Sequence, residues 1–416
     1  MKTVSDTPRI AIVGGGAAGF FAAIAAKETC PKAHVTIIEK NQSVLRKVAI
    51  SGGGRCNLTN TFESVSDLKQ VYPRGHRLMK RLFREFSHTD AMRWFEAHGV
   101  PLVVQPDQCV FPRSQDAQSV VRALTETARR LQAECITGHA VRQIEMSADG
   151  AFRLLFEHRP ERLFDRVIIT TGGSPLLRHY GWLSELGHHI SVPIPSLFTF
   201  DIADKQLRAL MGTVIEKVSV SIPSTHMRAE GEILITHWGV SGPAVLRLSS
   251  YAAPMIHERH FCFPISVNWI YETNRAAIEQ RIAETVILHG RKQLSTVNPY
   301  ELPSRLWSYL LRKLDIDEQK KWGELGRKNT LRLMEILTND CYKVGKKGTY
   351  RDEFVTCGGV DLADIHARTL ESKLLPGLYF AGEVADVDAV TGGFNLQAAW
   401  TMGYVAGRSA ADGCQP

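Results

Sequence analysis

Ile10 to Gly19 read IAIVGGGAAG: a short apolar β-branched run stops at glycine, and an Ala-rich stretch follows to about Lys27. Neither segment alternates, so the pattern predicts a buried strand feeding a buried helix. A second apolar run, Val35 to Ile38, closes at Glu39. Ile136 to Glu145 predicts a further strand that carries Val141. Asp165 to Ile169 and Gly377 to Ala381 read as two more buried strands, each ending in a glycine turn. From about Val192 to Phe263 the pattern is β-type, with Val214 to Ile222 and Gly231 to Thr236 as examples. From about Glu272 to Leu337 it becomes helical, and a last Ala/Gly-rich helix runs to about Ala411.

The first run carries a specific chemistry. Gly14, Gly16 and Gly19 stand at G-x-G-x-x-G spacing, interleaved with Gly15, Ala17 and Ala18. Gly14 permits the tight turn, Gly16 lets the backbone approach a pyrophosphate, and Gly19 packs helix on strand. The helix N-terminus then offers free N–H groups and the positive end of its dipole to phosphate. Glu39, with Lys40 beside it, sits where an acidic side chain accepts hydrogen bonds from adenosine ribose. Residues 10–26 fall short of the roughly twenty apolar residues of a membrane span and lack the flanks of a signal peptide. A cytoplasmic, non-membrane protein is expected.

Three further segments complete a nucleotide site. Lys47 to Asn60 reads KVAISGGGRCNLTN, and Gly52, Gly53 and Gly54 bring backbone close to a ligand. Lys47, Ser51, Arg55, Cys56 and Asn57 supply side chains to grip it. Thr171, Gly172 and Gly173 end the strand near residue 169, and main-chain groups at Val141 are placed to read an adenine edge. Near the C-terminus, Gly382, Glu383 and Asp388 precede Gly392, Gly393, Phe394, Asn395 and Leu396 at the start of the last helix. That helix N-terminus suits the pyrimidine end of a flavin, where its dipole stabilises charge on the reduced ring. Half-sites at opposite chain ends make the middle an insertion and favour bound FAD over exchangeable NAD. There is no second glycine fingerprint for a nicotinamide domain and no C-x-x-x-x-C redox pair.

Composition excludes little more. The 416 residues are 44% hydrophobic and 22% charged, ordinary for a globular chain of two or three domains. Cysteines 30, 56, 109, 135, 262, 341, 357 and 414 are scattered, so reduced thiols are expected and no metal site is. His188-His189 reads as an exposed pair. The net charge of +7 is uneven. One concentration holds Arg74, His76, Arg77, Lys80, Arg81, Arg84 and Arg93. A second, from Arg312 to Arg351, includes Lys320, Lys321, Arg327, Lys328, Lys343, Lys346 and Lys347. Each charge taken singly suits a solvated helix face; together the clusters suit an anionic partner.

VAISGGGRCNLTN, ILITHWGVSGPAVL, TCGGVDL and LYFAGEVADVDAVTGGFNLQAAW resemble the BaiN/YhiN-like family of FAD-dependent flavoproteins, described as NAD(P)/FAD oxidoreductases. The resemblance spans almost the whole chain. It implies an α/β fold: a Rossmann-type FAD-binding domain formed by both chain ends, with an inserted β-rich subdomain and a helical subdomain. The expected divisions are 1–191 and 346–416 for the FAD domain, 192–271 for the β-rich part and 272–345 for the helical part. NADH or NADPH is the expected electron donor. One departure is visible: relatives continue after Gly173 with Lys-Ser or Tyr-Pro and a Gly-Asp-Gly turn, whereas this chain reads Ser174 to Trp182, SPLLRHYGW.

The family's substrates differ: a uridine of ribosomal RNA reduced to dihydrouridine, a steroid double bond, small amino ketones. Ribosomal RNA fits the basic clusters, since phosphate contacts give affinity and a uridine unstacks to reach the flavin. A small-molecule substrate of an oxidase or ene-reductase, with the basic helices serving solubility, is the rival. An RNA-binding protein that keeps FAD structurally is a third reading. Reduction of a C=C bond by hydride needs a proton on the other carbon, and Cys56, Cys109, Cys357 and His237 are the candidate donors. The pattern gives no oligomeric state.

Overall fold

The computed structural model describes residues 7–147, 150–347 and 355–412. The chain divides into two compact units: Met1–Pro195 with Val355–Pro416, and Ser196–Phe354.

The first unit is built on a five-stranded sheet. Its strands are β1 (Arg9–Val13), β2 (His34–Ile38), β6 (Glu134–Ile136), β10 (Arg166–Ile169) and β19 (Leu378–Phe380), in the order β19-β10-β1-β2-β6. All neighbours are parallel. Strands buried on both faces must be apolar throughout, which is why β1, β2 and β10 show no alternation. Helix α1 (Ala17–Thr29) is the crossover from β1 to β2, and its whole inner length is buried. Between β2 and β6 lie α2 (Arg46–Gly54), the small antiparallel sheet β3 (Thr59–Asn60), β4 (Leu102–Val104) and β5 (Cys109–Pro112), and helices α3 (His76–Leu82), α4 (His88–Ala97) and α5 (Ala117–Arg130). An antiparallel meander, β7 (Val141–Met146), β8 (Phe152–Phe156) and β9 (Arg159–Phe164), leads into β10. After α6 (Gly181–Glu185), β11 (Ile190–Ser196) pairs with β18 (Val355–Val360). The last helix, α13 (Phe394–Ala411), returns to the sheet beside α1.

Small residues make that return close. A Cβ placed on Gly403 would lie 2.5 Å from the Ala18 carbonyl oxygen, and one on Gly407 2.2 Å from that of Ala22. The two backbones touch, which only glycine on one side permits. The pairing advances by four residues on both helices, so they run parallel.

The second unit holds a closed barrel in the order β12 (Phe200–Ile202), β15 (Gly239–Ser241), β14 (Arg228–Ile235), β13 (Val214–Ser221), β16 (Phe263–Asn268), β17 (Asp340–Lys347). Val218, Val220, Ile265 and Val267 alternate into its core. Short helices α7 (Lys205–Arg208), α8 (Pro243–Tyr251) and α9 (Ala253–Glu258) interrupt the strands. Three longer ones, α10 (Arg275–His289), α11 (Ser304–Lys313) and α12 (Gly326–Thr338), bury Trp307, Trp322 and Tyr309 with the barrel's residues in one cluster. The three longer helices lie between β16 and β17 in the chain. β17 follows all three helices yet closes the barrel between β12 and β16, a pairing between residues far apart in sequence that local pattern does not signal. Among the described residues, no helix is long and apolar enough to cross a membrane.

The cysteine expectation needs one correction: Cys30 is disulfide-bonded. Cys56, Cys109, Cys135, Cys262, Cys341 and Cys357 are free thiols.

The α1–α13 contact yields a test. Gly407→Ala gains about 1 kcal/mol of helix propensity, but its methyl meets Ala22 backbone that cannot turn aside. Overpacking of this kind costs about 1–3 kcal/mol or more, so the variant is expected to unfold at lower urea and to lose bound flavin more readily. An unchanged midpoint would show that the helices separate freely.

Candidate FAD site and its relatives

The glycine fingerprint sorts into structural and open positions. At Gly14 (φ +118°) a Cβ would lie 2.3 Å from the Thr170 carbonyl oxygen, and at Gly19 2.0 Å from that of Gly14. Both glycines hold strand and helix together. Around Gly16, by contrast, a Cβ would meet nothing within 4 Å, and the same is true of Gly53, Gly54 and Gly172. Left-handed backbone accounts for glycine at Gly53 (φ +68°), Gly54 (φ +82°) and Gly172 (φ +72°), whereas at Gly16 neither packing nor φ requires it and close approach of a ligand to backbone does. Gly15 is buried, and its N–H donates to Glu39 Oε2 at 2.9 Å. Glu39 Oε1 accepts from the Asn41 N–H at 2.8 Å and from its side-chain amide, so the carboxylate fixes its own loop and retains about one lone pair, on Oε2.

α2 is helical only to Ile50. Ser51 is extended and Gly52, Gly53 and Gly54 are left-handed, so the segment is a backbone loop with exposed glycines. Arg55 folds back on it, bonding the Gly52 carbonyl at 3.2 Å and stacking over Phe111 at 4.6 Å. Ser51 bonds the Val48 carbonyl. Lys47 does not stand alone: it pairs at 2.9 Å with Glu383, whose other oxygen accepts from the Thr356 N–H. Lys40 and Thr171 are exposed. Val141 opens β7 just after His139, whose N–H donates to the Glu39 carbonyl, so the segment passes the tip of β2.

The second helix N-terminus arrives at the same end of the sheet. α1 starts one residue before Ala18 and α13 nine before Gly403, so α13 overhangs α1 by about 12 Å at 1.5 Å per residue. Neither helix has a side-chain cap or an acidic residue in its first turn, unlike α4, α5 and α10, which are capped by Ser87, Asp116 and Asn274. Two sets of unsatisfied N–H donors, staggered along parallel axes, suit a long ligand with a pyrophosphate and a distant electron-rich ring. The residues present therefore fit FAD.

Buried polar bonds lock α13 to the glycine-rich loop. Thr59 donates to Gln397 at 2.6 Å, Gln397 to Thr401 at 3.0 Å, and Thr401 to the Phe86 carbonyl, all three side chains being buried. Asn57 donates to the Thr59 carbonyl and accepts from the Gly393 N–H. Asn60 bonds the Gly392 carbonyl, and Tyr72 that of Phe394 at 2.9 Å. Asn395 clamps Ala389 through both its N–H and its C=O. Leu396 lies half-buried in the first turn, and Gly382 (φ +79°) faces Ala18.

Asp388 has another role than cofactor contact. It is 1% exposed and held by Arg74 in a two-point ion pair. Arg74 thus leaves the basic cluster to which the sequence assigned it; nothing local links residues 314 apart. Tyr72, Gln397 and Thr401 were likewise invisible, being ordinary polar residues until the fold buries them together.

Three of the four proposed proton donors belong to one unit. Cys56, Cys109 and Cys357 are buried in the FAD unit, and burial pushes the Cys56 and Cys357 thiols up to about 12. Arg74 pulls Cys357 the other way, while Asp388 and Asp386 add to the rise. His237 belongs to the barrel unit, exposed beside Trp238. His188 is buried rather than exposed, bonded to Ser372 at 2.8 Å, whereas His189 pairs with Asp364. Among the described residues no group of three metal-ligating side chains occurs.

Of the basic clusters, Arg77, Lys80, Arg81 and Arg84 are exposed on and after α3 and make no ion pair among the described residues. Arg93 is held by Asp90. In the barrel unit Arg312, Lys321, Arg327, Lys328 and Lys343 are exposed, while Lys313 pairs with buried Asp340 at 2.6 Å. The side chains of Lys346 and Lys347, and all of Arg351, lie outside the described residues.

Residues 8–409 match the family described as HI0933-like protein Rossmann domain. The chain belongs to this family. It is accordingly an FAD-dependent oxidoreductase. It is 29% identical to the 3-dehydro-bile acid delta(4,6)-reductase of Clostridium scindens, over 97% of this chain and 99% of that protein. It is 28% identical to the ribosomal RNA dihydrouridine synthase of Escherichia coli, over 94% of this chain and 95% of that one. The 3-ketosteroid-delta4-(5alpha)-dehydrogenase of Rhodococcus jostii shares the fold: TM-score 0.51, 14% identity, 99% of this chain and 98% of that chain.

Two variants test the cradle. Gly16→Val is expected to leave the far-ultraviolet circular dichroism intact and the purified protein colourless, because its side chain enters space that packing leaves empty. Extraction of the unaltered protein should release FAD rather than FMN. Asp388→Ala removes the buried half of the pair with half-buried Arg74, a loss of up to about 3 kcal/mol, and should lower the unfolding midpoint as well as flavin retention.

Proposed function

We propose that this oxidoreductase reduces a carbon–carbon double bond conjugated to a carbonyl, namely the C5=C6 bond of a uracil base in ribosomal RNA, with NADH or NADPH as electron donor. FAD held in the cradle supplies the hydride. The proposed cofactor contacts are the open glycines, Gly16, Gly53, Gly54 and Gly172, with the first turns of α1 and α13 and the Glu39 loop. The observation that carries the RNA reading is the unpaired face of Arg77, Lys80, Arg81 and Arg84. It follows directly on Arg74, whose guanidinium holds Asp388 in the loop that leads into α13. Phosphate contacts made there bring a strand to the unit that carries the flavin cradle. The Escherichia coli relative's name supports the reaction.

Saturating the double bond consumes a proton as well as a hydride. Cys56, Cys109 and Cys357 are the proposed donors within the FAD unit; burial keeps the first and last protonated through neutral pH. A second reading, reduction of a small conjugated enone, is supported by the name of the Clostridium scindens relative.

Charge reversal at Arg77, Lys80 and Arg81 together separates the two readings. On the RNA reading, affinity for ribosomal RNA falls and the slope of log K against log salt shrinks by about 2, while flavin absorbance is retained. Anaerobic flavin reduced by NADH or NADPH should be reoxidised by ribosomal RNA, leaving dihydrouridine detectable in the digested strand. Reoxidation by a steroid enone but not by RNA would establish the second reading instead.

A further inference from the structure

The barrel unit contains a cavity that the FAD site does not use, with a volume of about 320 Å³. That lies at the small end of the roughly 300–1,000 Å³ typical of ligand pockets. Its floor is the outer face of two paired strands. Ser219 stands opposite Asn268, and Ser221 opposite Ser266, while Val218, Val220, Ile265 and Val267 point the other way into the barrel core. Four small polar side chains thus occupy a patch of about 5 by 7 Å, from the strand spacing and repeat. A sheet face covered by a helix ordinarily carries apolar residues. Here the helical wall does so: Leu331 and Met334 of α12, with Ile278 of α10, line the opposite side.

Two observations mark a ligand rather than a packing gap. The Ser219 hydroxyl, in a residue only 4% exposed, has no hydrogen-bond partner among the described residues. At the rim, Arg275 has no ion pair among them either, whereas Arg228 is matched by Glu230 at 3.2 Å. The rim carboxylates are committed to their own chain. Glu272 accepts from the Thr273 and Asn274 N–H groups, and Glu335 from the Asn339 amide. On the floor, Ser266 donates to Asn339 and Asn268 is held by the Glu272 carbonyl and the Ile270 N–H, which leaves the Ser219 and Ser221 hydroxyls open among the described residues. An apolar wall, two neutral hydroxyls and one uncompensated guanidinium are complementary to a planar heterocycle bearing an anionic group.

We propose that this cavity binds one nucleotide: the base edge on Ser219 and Ser221, its face against Leu331 and Met334, and the phosphate on Arg275. The nucleotide is either free or one unit of an RNA strand, and the site does not depend on which substrate the flavin reduces.

Calorimetric titration of the FAD-loaded full chain with uridine monophosphate, uridine, inorganic phosphate and a short single-stranded oligouridylate tests it. Uridine monophosphate should bind saturably at one site. Ser219→Ala should weaken both it and uridine. Arg275→Ala should weaken the monophosphate about 10-fold or more, the loss of one charge-assisted bond, and leave uridine unchanged. Arg275 is exposed, so its removal leaves folding intact, as flavin absorbance and the unfolding midpoint will show. An oligonucleotide that binds more tightly than the monophosphate, with the same dependence on both residues, identifies an RNA strand as the source; the reverse order identifies a free nucleotide. Absence of saturable binding by both, or binding that neither substitution alters, overturns the proposal.

Discussion

Everything at the FAD cradle depends on one contact between helices nearly four hundred residues apart. Gly403 and Gly407 let the backbone of α13 lie against Ala18 and Ala22 of α1. Larger residues would separate the helices, and the two N-termini would no longer share one end of the sheet. The contact also sets the stagger. Because α13 extends about 12 Å past the start of α1, one helix dipole can serve a phosphate while the other serves a group farther along the same molecule.

Around that contact the unit commits its buried polar groups to position rather than to chemistry. Thr59, Gln397 and Thr401 form a chain of hydrogen bonds that ties the loop after α2 to α13 and to Phe86. Arg74 and Asp388 pin α3 to the loop before α13. Removing any one member leaves a buried donor or acceptor unpaired, which costs more than the bond itself contributes. The first turns of α1 and α13 carry no side-chain cap, and a dinucleotide would take up their N–H groups.

In both halves of the chain a buried carboxylate is matched by a cation, Asp388 by Arg74 and Asp340 by Lys313. In the barrel unit the lysine nearest the core, Lys313, is matched by Asp340, which also accepts from the Trp269 and Tyr342 side chains. On α3 the exposed cations have no such partner. An unpaired basic face contributes little to stability, since isolated surface charges are screened.

The sequence by itself determined the glycine turn between β1 and α1 and the glycine start of α13. Glycine spacing, a β-branched strand before it and an acidic residue after the next strand are local patterns, and local backbone geometry enforces them. It also placed β13 and α13 close to their observed bounds, because strand and helix periods are read over a few residues. Only the tertiary structure decided which glycines serve packing and which leave room for a ligand, since Gly14 and Gly16 read alike until Thr170 is brought beside one of them. The same holds for Asp388, which reads as a ligand group until Arg74 meets it, and for β17, whose place in the barrel follows from partners across the fold. Pairings over such distances depend on chain closure and burial, and no local pattern encodes them.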